Sequence, residues 1–114
     1  MALTVKTLFD GQLSTTARTM LYTVPTNKAA IVKNIRVVNR DTTPRTINIY
    51  YLRNGLTNNS TNVRYLFPIT MSVAASGLAL DDNEITLGAG DQIVGDGSVA
   101  SQLDCVISGI ERDA

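Results

Sequence analysis

Few side chains in this sequence could do chemistry, and those present lack the neighbours that chemistry requires. The one cysteine, Cys105, has no partner for an intrachain disulfide and no second thiol with which to hold a metal. As a nucleophile it would need a base, most often a histidine, and the chain has no histidine. The same absence removes Ser-His-Asp and Cys-His constellations and the commonest imidazole metal ligand. Cys105 therefore reads as a small residue buried in a strand.

The carboxylates Asp81, Asp82 and Glu84 come closest to a metal cluster. In alternating structure Asp82 and Glu84 share a face, and Ca²⁺ takes oxygen ligands. The segment nevertheless lacks the ligand spacing and glycine of a calcium loop, so an acidic turn before a strand is expected. Gly88-Ala89-Gly90 has no third glycine and precedes a strand, which makes it a hairpin turn and not a phosphate cradle. Asn58-Asn59-Ser60 and Asn59-Ser60-Thr61 are formal glycosylation triplets. Met1 to Asp10 alternates instead of forming the apolar block of a signal peptide, which argues against their use. Tyr50 and Tyr51 point to opposite faces of one strand, one suited to a core and the other to an interface. No catalytic, cofactor-binding or metal-ligating residue is assigned, and neither an enzyme nor a cofactor is expected.

The elements around these residues are strands. Fourteen threonines, many Val and Ile, and short alternating runs favour pleated structure. Leu3 to Phe9 is a first strand, closed by the turn pair Asp10-Gly11. Thr19 to Val24 is a second, followed by the turn Pro25-Thr26-Asn27-Lys28. Ala30 to Asn39 sets Ile31, Ile35 and Val37 on one face, with Lys33 in the same phase. That stray lysine suggests a bulge or a stem reaching out from the core edge. Thr46 to Arg53 alternates cleanly, and with the preceding run it is expected to form the central hairpin. The Asn-rich stretch from Asn54 to Asn62 is a polar loop.

A short strand follows at Val63 to Phe67, ended by Pro68; Ile69 to Ala75 either continues it as another strand or makes an irregular crossing, and Gly77 to Leu80 reads as a short edge segment. Glu84 to Leu87 and Gln92 to Val94 flank the Gly88 turn, and Gly95 to Ser98 turns again. Gln102 to Glu111 is the last long strand. It sets Leu103, Cys105 and Ile107 against Val106, Ser108 and Ile110. Gly109 would join the first face, at a place where another backbone or a ring comes close. No stretch sustains a helical period. The pattern predicts an all-β, antiparallel two-sheet β-sandwich, a jelly roll of eight or nine strands, forming one domain over residues 1–114.

The chain's 114 residues suit one domain, and its 44% hydrophobic content is ordinary for a globular protein. The longest apolar runs, such as Ala29 to Val32 and Ile49 to Leu52, have four residues, far short of a membrane span. The net charge is zero but uneven: Arg18 to Arg64 carries eight bases and one acid, and Tyr65 to Ala114 eight acids and one base. Such a split gives either two complementary faces or, if strands from the two halves interleave, a mixed surface. No basic cluster carries interleaved aromatics, so nucleic acid is not the expected partner.

The run from Leu21 to Asn39, LYTVPTNKAAIVKNIRVVN, resembles small virion proteins of tailed bacteriophages. So does EITLGAGDQIVG, from Glu84 to Gly95. The first motif places a valine-proline turn before an aliphatic strand ending in asparagine, and the second a Gly-Asp turn near the end of the chain. The resemblance implies a β-sandwich module that decorates capsids or builds tails and necks, and it carries over no catalytic residue. The expectation is a capsid decoration (cement) protein that binds the head shell as a homo-oligomer, a trimer being suggested by the shell's threefold points. A neck, tail or baseplate component is the alternative within this class, and a carbohydrate- or receptor-binding module the alternative outside it. Expected partners are copies of itself and the major capsid or other virion proteins, with no membrane. The place is the virion, assembled in the host cytoplasm.

Overall fold

The computed structural model describes residues 3–113, and no helix occurs among them. Ten strands follow one another: β1 (Leu3–Gln12), β2 (Thr19–Thr23), β3 (Lys28–Asn39), β4 (Arg45–Leu52), β5 (Val63–Tyr65), β6 (Met71–Val73), β7 (Leu78–Asp81), β8 (Ile85–Leu87), β9 (Gln92–Gly97) and β10 (Leu103–Asp113). One sheet runs β1-β10-β3, with β7 and β8 both against β3; the other runs β2-β9-β4, with β5 and β6 both against β4. Every pairing is antiparallel.

The pairs nest. β1 takes β10, β2 takes β9, β3 takes β7 and β8, and β4 takes β5 and β6. The chain is thus one long hairpin, bent at residues 53–62 and rolled so that its arms alternate between two sheets. This is the jelly-roll wrapping of two Greek keys. Ten strands appear where eight or nine were expected because the open stretch Ile69 to Ala75 and the edge segment Gly77 to Leu80 both contribute strands, β6 and β7, and each return arm is broken in two. Pro68, which has no N–H to give a ladder, lies between β5 and β6. Between β7 and β8, Asp81 Oδ1 accepts from the Asn83 amide at 3.0 Å and turns the chain.

The inner faces supply the core: Ile35, Val37, Ile47, Ile49, Ile93, Leu103, Cys105 and Ile107 are all buried. Full burial of each aliphatic side chain contributes about 1.5–3 kcal/mol.

Several local expectations are corrected by this wrapping. β3 and β4 do not form a hairpin. They lie in different sheets, and the loop between them crosses the sandwich. Asn39, fully buried at the crossing, donates Nδ2 to the carbonyls of Thr43, Val73 and Ala74 at 3.0, 3.1 and 3.3 Å, and its Oδ1 accepts from the Asp41 amide at 2.9 Å. The Gly88 turn forms, with the Asp91 amide donating to the Gly88 carbonyl at 3.0 Å. It too joins strands of different sheets, so it is not a hairpin.

Asp10-Gly11 does not turn. β1 continues through Asp10 opposite Val106 and Gly11 opposite Cys105, and absorbs an extra residue at Leu8. Gly95 to Gly97 stays in β9, paired with Ile49, Asn48 and Ile47. Glycine serves close approach at Gly95, where a Cβ would lie 2.9 Å from the Asn48 carbonyl oxygen. The Pro25 turn holds, with the Lys28 amide on the Pro25 carbonyl at 3.1 Å and Asn27 at φ 64°, a conformation asparagine tolerates.

In β3, Ser108 pairs with Asn34 but Gly109 pairs with Val32, which leaves Lys33 as a bulged residue. The bulge suggested by Lys33 is therefore present. It also reverses the phase ahead of it: Val32 is buried and Ile31 faces outward with partial exposure, against the expectation that Ile31 shares the Ile35 face.

Candidate functional site

The two sheets differ in what covers their outer faces. On the second sheet, Tyr50, Leu52, Val63 and Val94 form a small buried cluster outside the main core. Residues 53–62 reach across that sheet, and Asn58 Nδ2 donates to the Arg18 carbonyl at 2.9 Å, on the far side of β9. Beneath this strap Val94 has no exposure at all.

The outer face of the first sheet is bare. Registered pairs define its rows across β1, β10, β3 and the broken edge. Leu3, Arg112 and Ala29 form the first. Val5, Ile110, Ile31 and Thr86 form the second. Thr7, Ser108 and Asn34 form a polar third. Asp10, Val106, Arg36 and Leu80 form the fourth, and Gln12, Asp104, Val38 and Leu78 the fifth. Leu3 is 67% exposed, Val5 83%, Leu78 49% and Leu80 51%. Ile31, Val38, Val106 and Ile110 are half-buried between them. An ordinary sandwich presents polar residues outward. Contiguous exposed apolar residues of this kind mark interaction surfaces.

The charges around this face are largely spent internally. Lys28 pairs with Asp113 at 2.6 Å, Arg40 with Asp104 at 3.7 Å, and Lys33 with Glu84. Each bond joins the basic segment to the acidic one, so the interleaved strands mix the charges around this face. Asp113 holds the Lys28 ammonium charged to a higher pH than usual. Asp10 and Arg36 are exceptions: both side chains are exposed and neither has an ion-pair or hydrogen-bond partner among the described residues.

The buried polar groups are tied into the scaffold. Tyr22 on β2 donates its hydroxyl to Glu111 on β10, and Lys6 Nζ lies 3.2 Å from the same carboxylate, so the three bridge the sheets. The Tyr22 hydrogen bond, helped by Lys6, holds the Glu111 carboxyl below its usual range. Burial, reinforced by Glu111, pushes the Tyr22 phenol well above its own. Asp91 accepts from the Asn54 and Gly88 amides at 2.9 Å each and from the Tyr51 hydroxyl at 3.1 Å. Composition gave no sign of these roles for Asn39, Asp91 and Glu111, because each depends on partners from the opposite sheet or a distant loop.

The residues singled out for chemistry are not brought together. Cys105 is fully buried on the inner face of β10, and burial raises its thiol pKa to about 12. Asp81 caps the turn at Asn83 while Glu84 pairs with Lys33. No group of three metal-ligating side chains converges among the described residues. Tyr51 leans into the main core, and Tyr50 lies in the outer cluster, its ring in edge contact with Tyr65 at 4.8 Å between centroids. A cleft of about 310 Å³ opens between the sheets, lined by Tyr51, Arg64, Leu66, Ile85, Thr86 and Leu87. It offers a guanidinium and apolar walls. The Tyr51 hydroxyl is already engaged by Asp91.

In comparisons with known proteins, no family model and no curated protein matches this chain. The outer face of the first sheet is the candidate site on its geometry alone.

Proposed function

We propose that this chain is a structural protein of a tailed-bacteriophage particle that decorates the head shell as a homo-oligomer, and that the outer face of its β1-β10-β3 sheet is a protein-contact surface. The observation that carries this reading is the contrast between the two sheets. One is closed by its own 53–62 strap, and the other leaves Leu3, Val5, Leu78 and Leu80 in solvent beside Ile31, Val38, Val106 and Ile110. Burying such a face is worth about 25 cal/mol per Å² of apolar surface before the cost of association. The motifs at Leu21–Asn39 and Glu84–Gly95 supply the link to virion proteins, and a protein-binding β-sandwich suits that role.

The mechanism is adhesion. Val5, Ile110 and Ile31 on one side of the polar row Thr7, Ser108 and Asn34, and Val106, Leu80, Val38 and Leu78 on the other, would exclude water, while the polar row fixes register. A glycan-binding role draws less support, because a stacking platform needs several exposed rings. Tyr22, Tyr50 and Phe67 are buried, and Tyr65 is the one strongly exposed ring among the described residues.

The test is composition and imaging of purified particles. The chain should be present in them, and an antibody or gold label should mark the head. Label on the neck or tail would move the protein to the alternative location. Absence from particles would overturn the reading.

A further inference from the structure

We propose that a second copy of this chain covers the bare sheet face, with β10 of one copy packed over β10 of the other about a twofold axis parallel to the strand. The inference rests on the reading of that face as a protein-binding surface, and it names the occupant.

The argument is how the β1-β10-β3 part of the face maps onto itself about its middle strand, β10. An isologous contact requires a patch complementary to itself under a twofold rotation. β10 lies between β1 and β3, and its outward residues put Val106, Ser108 and Ile110 at the middle of the axis, with Asp104 and Arg112 towards its ends. Asp10 sits one strand to one side of Val106, and Arg36 sits one strand to the other, in the same row. Rotation about β10 therefore sets Asp10 of each copy opposite Arg36 of the other. These are the two charged side chains of the face that find no partner among the described residues.

The second and third rows agree. Val5 meets Ile31, Ile110 meets Ile110, Thr7 meets Asn34, and Ser108 meets Ser108. Arg112 would face its own copy in the first row, and Asp104 its own in the fifth. There Arg40 lies 3.7 Å away and Gln12 Nε2 donates to it at 3.0 Å, so its charge is partly met. Aligned sheets also cross at about 30°, which splays the ends of the contact apart.

The area suffices. β10 has 11 residues. At ~3.3 Å per residue and ~4.8 Å per strand, the three strands that overlap about this axis, β1, β10 and β3, span roughly 520 Å², with Leu78 and Leu80 one strand beyond the overlap. Two such faces bury about 1,000 Å², the lower bound for a specific interface. The trimer suggested by a shell's threefold points would instead need two different patches, and the charge arrangement here matches one patch to itself.

The experiment is sedimentation equilibrium on the full chain with charge reversals. Wild type should be a dimer at micromolar concentration. Asp10→Arg and Arg36→Asp should each weaken dimerisation at least tenfold by opposing like charges, and the double variant should return to within about threefold of wild type. Both positions are exposed, and unchanged thermal melting of the monomeric variants confirms that folding is intact. A monomeric wild type up to 1 mM, a trimer, or single reversals without effect would overturn the dimer. The two readings fail separately. A monomer that binds shells and loses them on Ile110→Asp would retire the dimer and leave particle binding standing. A dimer missing from particles would do the reverse.

Discussion

Gly109 on β10 lies hard against the main chain of β3: a Cβ on it would stand 2.3 Å from the carbonyl oxygen of Ile31 and 2.8 Å from Leu8 Cδ1. The approach occurs where Lys33 bulges out of the ladder and both strands must close around the extra residue. Gly109→Ala should therefore destabilise the fold by about 1–3 kcal/mol, the usual cost of overpacking. Urea unfolding followed by circular dichroism measures it. A loss under about 0.5 kcal/mol, the scale of an ordinary surface substitution, would show that the strands part there freely.

The bridge from Tyr22 to Glu111 makes stability depend on pH in a defined direction. The Glu111 carboxyl titrates lower in the folded chain than its ordinary 4.5, chiefly through the Tyr22 hydrogen bond. A depressed carboxylate contributes stability that is full above its unfolded pKa and is lost as pH falls through the folded one. The acid limb of the stability curve should thus begin near pH 4.5 and continue downward. The Tyr22 phenol shifts the other way, so its contribution holds below pH 10 and is lost above it. Tyr22→Phe should cost about 1.5–3 kcal/mol at pH 7, the range for a hydrogen bond to a charged group, and flatten both limbs. Denaturant midpoints between pH 3 and 11 test this, and equal slopes for wild type and variant would refute it.

The strands were legible because alternation is a local property. The long runs that became β3, β4 and β10 each alternate apolar and polar residues, and Lys33 and Gly109 betrayed the bulge and the close approach. Pairing was less legible. A polar loop such as 39–45 can return a strand to its own sheet or carry it to the other, and alternation gives the same pattern in both cases. Asn39 decides the matter through carbonyls at Val73 and Ala74, more than thirty residues away. The candidate site was visible only in part. Alternation put Val106, Ser108 and Ile110 together on one face of β10. Their neighbours Val5, Ile31 and Leu80 come from strands far apart in the chain, and the bulge hid the outward phase of Ile31. Nor does any local signal tell that the 53–62 loop covers one sheet and leaves the other bare.

Cys105 gives a direct probe of the fold's integrity. It is fully buried on β10 between Gly11 and Val37, with its thiol pKa raised to about 12 by burial. Reactivity follows the thiolate and its access. At pH 8 the native chain should resist iodoacetamide for hours and label within minutes in guanidinium. Rapid labelling of the folded chain would show that β1 opens from β10 readily.

Assembly through the bare face should respond weakly to salt. Most charges near it are neutralised within the chain, by Lys28–Asp113, Lys33–Glu84 and Arg40–Asp104. What remains for a contact is apolar area and the exposed Asp10 and Arg36. An exposed ion pair contributes about 0–1 kcal/mol and is screened beyond roughly 10 Å at 0.1 M salt. Two such pairs in a dimer would weaken only in part, so raising NaCl from 50 to 500 mM should shift the dissociation constant by less than about tenfold. Replacing the apolar centre should act far more strongly: Val106→Asp with Ile110→Asp sets four carboxylates along the axis of the contact and removes its driest surface. Sedimentation at both salt concentrations separates the two contributions. A dissociation constant that moves a hundredfold with salt, while the Val106→Asp, Ile110→Asp variant still associates, would mean that charge and not apolar burial holds the copies together.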